Sequence, residues 1–174
     1  MLINNKYKNK GEMFLKKRGF SFISKQEFDK VFYPFGTKYE DLKEPKRATA
    51  KSAGYDCYAP FNIDLEPNEE IKVPTGIKSY MLNDEMLLAL PRSGHGFKYY
   101  IRLANTLGVI DADYIDSDNE GHIWIKIRNE GNKNFHIDKG EAFCQLIFQK
   151  YLLADDDDFI GNKRNGGMGS TDDK

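Results

Sequence analysis

At 174 residues, with 40% hydrophobic and 30% charged side chains, the chain is long enough for one buried core, short for two, and too mixed for a disordered or collagen-like protein. Lys plus Arg (26) nearly balances Asp plus Glu (27), so the total of −1 neither demands nor excludes a nucleic-acid partner. Residues 1–51 nevertheless carry 13 basic against 6 acidic side chains, and the remainder 13 against 21. In chain order, the basic leader MLINNKYKNKGEM lacks the apolar centre of a signal peptide, and no run approaches the roughly 20 apolar residues of a membrane span. In SKQEFDKVF, Ser24 precedes Glu27 by three positions, and Phe28, Val31 and Phe32 follow at helical spacing, which predicts a short capped helix ending near Pro34 and Gly36. From Arg47 onward, short segments between Gly, Pro, Asn and Asp predict strands at 54–58, 70–74, 76–81, 85–90, 107–111, 121–128, 133–137 and 142–151, with a turn or two of helix around residues 95–102. In HIWIKIR, Ile123, Ile125 and Ile127 alternate with His122, Trp124, Lys126 and Arg128, the period of a half-buried strand. After Leu153 the run ADDDDFIGNKRNGGMGSTDDK cannot build a core and is expected to be a mobile arm.

Two cysteines exclude a disulfide framework and form no CxxC pair. Their settings, DCYAP and AFCQL, predict that Cys57 and Cys144 are buried free thiols of a reducing cytoplasm. The histidines His95, His122 and His136 lack metal-ligand spacing and are expected at the surface or in turns.

Five segments carry residue types unusual for their places. In SAGYDCYAP, Asp56 lies in an apolar strand and is either a structural acceptor or a metal-linked carboxylate. In LPRSGHGFK, Arg92, Ser93 and Gly94 suit either a phosphate clamp or a plain turn. In LANTLGVIDADYIDSDNEGHIWIKIRN, Asp111 and Tyr114 place a carboxylate and a ring at one strand end, suited to water activation beside a sugar or base, although a polar hairpin would satisfy the same pattern. Gln145 interrupts the apolar strand of GEAFCQLIF and needs a backbone or ligand partner. The arm adds Arg164, Ser170 and Thr171 among glycines, which suit phosphate contacts.

Taken in order, AGYD, PRSG, GVIDADY, GEAFCQ and RNGGMGST resemble the five motifs of the trimeric dUTPase family over about residues 46–171. The resemblance implies an all-β, distorted jelly-roll subunit over 46–153, preceded by a basic extension with a short helix over 1–45 and followed by a flexible arm over 154–174. It also implies a homotrimer whose three active sites draw on all three chains, the first, second and fourth motifs coming from one, the third from another and the fifth from the last. The implied reaction is Mg²⁺-assisted hydrolysis of dUTP to dUMP and pyrophosphate. By the same resemblance Asp111 activates the attacking water, Tyr114 packs under the deoxyribose, and Asn105 with the backbone around Gly108 and Ile110 holds uracil. Arg92, Ser93, Gly94 and Gln145 bind the triphosphate, and Asp56 reaches Mg²⁺ through water. Arg164, Met168, Gly169, Ser170 and Thr171 close over the nucleotide. No membrane or nucleic-acid partner is implied.

This sequence departs from the family pattern at several points. Met168 stands where Phe is usual, Asp172 where Gly is usual and Ala142 where Arg is frequent, and the insertion IDSDNE lengthens the third motif. A raised KM is the expected consequence. Two alternatives share the frame. A dCTP deaminase needs a catalytic Glu on the strand HIWIKIRN, where Lys126 stands at that position. A regulatory or binding protein would use the basic first 51 residues for contacts.

Overall fold

The computed structural model describes residues 16–159. Helix α1 spans Lys25–Phe32, and the Ser24 hydroxyl accepts the Glu27 N–H at 3.1 Å, satisfying one of the unpaired donors of the first turn. The other half of the anticipated capping box comes from elsewhere: the Ser24 N–H donates to Oε2 of Glu120 at 2.9 Å, 96 residues downstream.

The strands are β1 (Gly19–Phe22), β2 (Lys46–Arg47), β3 (Tyr55–Tyr58), β4 (Ile63–Leu65), β5 (Glu70–Pro74), β6 (Ile77–Tyr80), β7 (Glu85–Pro91), β8 (Ile101–Leu103), β9 (Gly108–Asp111), β10 (Trp124–Asn129), β11 (Phe135–Ile137) and β12 (Ala142–Lys150). They pair antiparallel in a five-stranded sheet of order β2-β3-β12-β7-β9, a three-stranded sheet β5-β10-β8 and the two pairs β1-β6 and β4-β11. The anticipated all-β, jelly-roll-like architecture is what the chain adopts. Helix α2, Ser93–Tyr99, lies where only a turn or two is expected, because its two glycines mask the helical pattern.

Alternating side chains of the sheets meet in one core, in which Val73, Ile77, Leu87, Ile101, Ile127, Phe143 and Leu146 are fully or almost fully buried. The period-2 expectation for residues 122–128 holds on the apolar face, where Ile123, Ile125 and Ile127 are buried. Phe20 of β1 joins this core, while Phe28 and Phe32 of α1 stack at 4.5 Å in a smaller cluster with Ile23. Cys57 and Cys144 are buried free thiols, and burial pushes the Cys144 thiol well above its ordinary pKa. No helix among the described residues is long and apolar enough to cross a membrane.

Candidate functional site

The first of two concave regions is built by strand register. In the β3–β12 pair Asp56 lies opposite Gln145, and in the β12–β7 pair Cys144 lies opposite Pro91. Since side chains alternate along a strand, Asp56 and Gln145 share one face, beside the end of β7, where Arg92 leaves the sheet and caps α2. The Gln145 side-chain amide donates to the Pro91 carbonyl at 3.2 Å. Arg92 Nε stands 3.2 Å from Oδ1 of Asp56, and its Nη1 donates to the Ala142 carbonyl at 3.3 Å. These contacts hold the guanidinium against the sheet and leave the exposed Ser93 and Gly94 at the start of α2, where first-turn N–H groups have no intrahelical acceptor. The result is a cradle of about 340 Å³ lined by Asp56, Arg92, Ser93 and Gln145, together with Ala48, Ser52 and Gly54. In the adjoining α2, burial and then the Arg92 charge hold the His95 imidazole below its usual pKa.

Gly54 is there for close approach. A Cβ on it would stand 2.4 Å from Oε1 of Gln145, so only glycine leaves room for the amide. Ser52 and Gly54 lie within the motif SAGYD and were within reach of sequence reasoning, whereas Ala48 arrives by the pairing of β2 with β3.

The second region is a pocket of about 560 Å³ lined by Asn105, Gly108, Ile110 and Tyr114, with Val109, Trp124, Lys72 and Lys126 contributing from the adjoining strands. Strand β9 runs along its wall through pairing with β7, in which Gly108 faces Ala89 and Asp111 faces Met86, and the exposed Asp111 ends the strand. Tyr114 follows in a short 3₁₀ turn and is buried up to its pocket edge. Its hydroxyl donates to the His122 carbonyl at 3.1 Å and accepts from the Asn119 side-chain amide at 3.0 Å. Lys72 and Lys126 face each other across β5 and β10. The Lys72 ammonium lies 4.7 Å from the Trp124 ring centre, and Lys126 pairs with Glu70 at 2.5 Å. A pairing across strands leaves no local sequence signal, so these two lysines were not legible as pocket residues.

His122 corrects the expectation of a surface or turn histidine. It is fully buried, its ring lies near those of Phe32 and Trp124, and its Nε2 accepts the Gly76 N–H at 2.9 Å. His136 is exposed as anticipated, between Asp64 at 2.6 Å and Asp138 at 3.0 Å, and hydrogen bonds to these two carboxylates raise its pKa.

The predicted residues thus fall into two groups. Asp56, Arg92, Ser93 and Gln145 come together in the cradle, and Asn105, Gly108, Ile110 and Tyr114 come together in the pocket, with Asp111 adjoining it. The two regions share no lining residue. Arg164, Met168, Gly169, Ser170 and Thr171 lie outside the described residues. Among the described residues no cluster of three or more His, Cys, Asp or Glu side chains is arranged to hold a metal ion.

The chain is similar to known proteins in sequence and fold. The dUTPase family model matches residues 40–171. A deoxyuridine 5′-triphosphate nucleotidohydrolase of Lactococcus lactis is 41% identical over 139 residues, covering 78% of this chain and 93% of that protein. The Escherichia coli protein of the same name is 36% identical over 132 residues, covering 72% and 84%. Among solved structures, a dUTPase from Streptococcus mutans superposes with a TM-score of 0.64 at 34% identity, covering 79% of this chain and 98% of that one. A phage phi11 dUTPase mutant, whose structure describes the coordination of a structural Mg(II) ion, shares the fold with a TM-score of 0.61 at 18% identity, over 86% of this chain and 100% of that one. With residues 40–171 matched by the family model and a relative 41% identical over most of its length, the chain belongs to the dUTPase family.

Proposed function

We propose that this chain hydrolyses dUTP to dUMP and pyrophosphate by attack of water on the α-phosphorus. One observation carries the reading: a pocket of nucleoside size is bounded by an exposed carboxylate, and a separate cradle on the same chain offers a guanidinium, a hydroxyl and an amide. Asp111 takes the proton of the attacking water, a role that needs a carboxylate at the rim of the nucleoside pocket and not in its interior. Asn105 and the backbone of Gly108 to Ile110 meet the edge of uracil. The Tyr114 ring lies under the sugar and leaves no room for a 2′-hydroxyl. Arg92, Ser93, the amide of Gly94 and Gln145 neutralise and orient the triphosphate, so that catalysis is positioning plus charge stabilisation.

The cradle presents a single carboxylate, Asp56, with one oxygen already facing Arg92. One carboxylate does not make a cation cage, but it suits a hydrated Mg²⁺ that arrives on the triphosphate, since Mg²⁺ keeps several waters and takes its remaining ligands from phosphate. When bound, Mg²⁺ would spread the negative charge of the phosphates, and Asp56 would accept from its water shell.

Because pocket and cradle have no lining residue in common, we infer a homotrimer in which the cradle of one copy faces the pocket of the next. Arg164, Ser170 and Thr171 of a third copy then close on the γ-phosphate, with Met168 and Gly169 over the base. The buried free thiols suit a cytoplasmic enzyme.

Pyrophosphate release measured with dUTP, dTTP, dCTP and UTP, with and without Mg²⁺, tests the assignment. Mg²⁺-dependent turnover selective for dUTP is expected, and Asp111→Asn should lower kcat by about 100-fold or more. Near-parental turnover by Asp111→Asn would remove the general base from the scheme. Ammonia release from dCTP is not expected, because the strand position of a deaminase's glutamate is held by Lys126, paired with Glu70.

A further inference from the structure

We propose that Asn119 and Glu120, in the insertion at residues 115–120, are positioning residues for Tyr114, and that α1 holds them in place, so that the N-terminal helix helps set selectivity for a 2′-deoxy sugar. The inference rests on the reading of Tyr114 as the floor under the deoxyribose. It goes beyond that reading because α1 precedes residue 40, where the family match begins.

The Tyr114 hydroxyl is held by the end of the insertion. It donates to the His122 carbonyl and accepts from Asn119 Nδ2, and the same Nδ2 donates to the His122 carbonyl at 3.2 Å. Asn119 Oδ1 accepts the Gly121 N–H at 3.2 Å, so this one side chain spans the end of the insertion. Glu120 (φ 60°) and Gly121 (φ 73°) are consecutive left-handed residues, which fold the loop back on its own start. A Cβ on Gly121 would stand 2.6 Å from the Ile115 Cα.

An unfavourable backbone at a non-glycine residue persists only if its surroundings hold it. Here the Glu120 carboxylate accepts from the Ser24 N–H, the Ser24 hydroxyl and Lys78 Nζ, the last at 3.0 Å. Ser24 is the cap of α1, and Phe32 at the other end of that helix stacks on the His122 ring with centroids 6.0 Å apart. The helix therefore grips the residues on both sides of Asn119's contacts: Glu120 through its cap and His122 through its last turn. Releasing either grip loosens the carbonyl and amide that fix the Tyr114 ring. A steric floor that shifts admits a hydroxyl, whereas water activation at Asp111 is untouched.

The test compares kcat and KM for dUTP and UTP in the full chain and in Asn119→Ala, Asn119→Asp, Ser24→Ala, Glu120→Gln and the control Lys25→Ala. The ratio of kcat/KM for UTP over dUTP should rise about tenfold in the Asn119 and Glu120 variants, with kcat for dUTP within about twofold of the parent. Ser24→Ala added to Glu120→Gln should cause no further loss of selectivity, and Lys25→Ala should keep the parental ratio. An unchanged ratio in folded variants, or a parallel fall for both nucleotides, overturns the proposal. Where Glu120→Gln fails to fold, the near-isosteric Asn119→Asp decides alone, since it replaces the amide donor with a carboxylate that can only accept. A parent chain that does not turn over dUTP overturns the functional assignment itself. A dUTP-selective parent whose variants keep its selectivity overturns only this inference.

Discussion

The neutral form of His122 is written into its contacts. Its Nε2 accepts the Gly76 N–H, so the ring carries its proton on Nδ1, which lies 3.9 Å from Oε1 of Glu27. Burial lowers its pKa from the usual 6.5 to about 4. The unfolded chain therefore binds this proton more readily than the folded one. The resulting stabilisation is complete above about pH 6.5, disappears as pH falls towards 4, and amounts to roughly 3 kcal/mol. Glu120 adds a second acid step in the same corner. Hydrogen bonds from Ser24, and then from Lys78, lower its pKa from 4.5 to about 2, so its contribution is present above the usual carboxylate range and is lost as pH falls through it. His122→Gln keeps an acceptor for the Gly76 N–H without a titrating ring. Thermal unfolding from pH 7 to pH 4.5 should show the parent losing stability faster than this variant. Parallel curves would mean that His122 does not carry the upper step.

At the scale of elements, the cradle is a product of register. Asp56 faces Gln145 only because β3 and β12 pair in that alignment, and a slip of one residue would bring Cys57 and Cys144 to the ligand face. Gly54→Ala tests how closely the cradle is fitted. The clash is with the far end of the Gln145 side chain, which can swing away, so the fold should survive with little change in Tm. The displaced amide should raise KM for dUTP about three- to tenfold, the worth of one hydrogen bond, with kcat little altered. An unchanged KM would show that Gln145 does not touch the substrate.

Strand β10 was legible because its period-2 patterning is local, and β7 and β12 because their apolar runs are bounded by turn residues. Strands β1, β2, β4 and β8 were not, being only two to four residues long and held by distant partners. The β1–β6 pair is the clearest case: Gly19–Phe22 gives no periodic signal, yet Phe20 enters the main core through its pairing with Ser79.

For the whole molecule, the separation of pocket and cradle makes a prediction that a single-chain site would not. Asp111→Asn and Arg92→Ala chains, each inactive alone, should regain activity when refolded together. A 1:1 mixture should approach about a quarter of the parental rate if each site takes Asp111 from one copy and Arg92 from another. No recovery would place both groups in one subunit. The charge pattern fits the proposed site: in an acidic body, an anionic substrate would depend on a few placed groups such as Arg92.

The residue types of the chemistry, their order and the strands that carry them were readable from the sequence, because side-chain identity and short-range periodicity are local properties. The fate of His122 and the anchoring of the insertion were not. Burial of that ring depends on Phe32 and the grip on Glu120 depends on Ser24, residues about a hundred positions away that tertiary packing alone brings together. The separation of the pocket from the cradle was likewise decided by the fold, since strand order and register determine which side chains share a face.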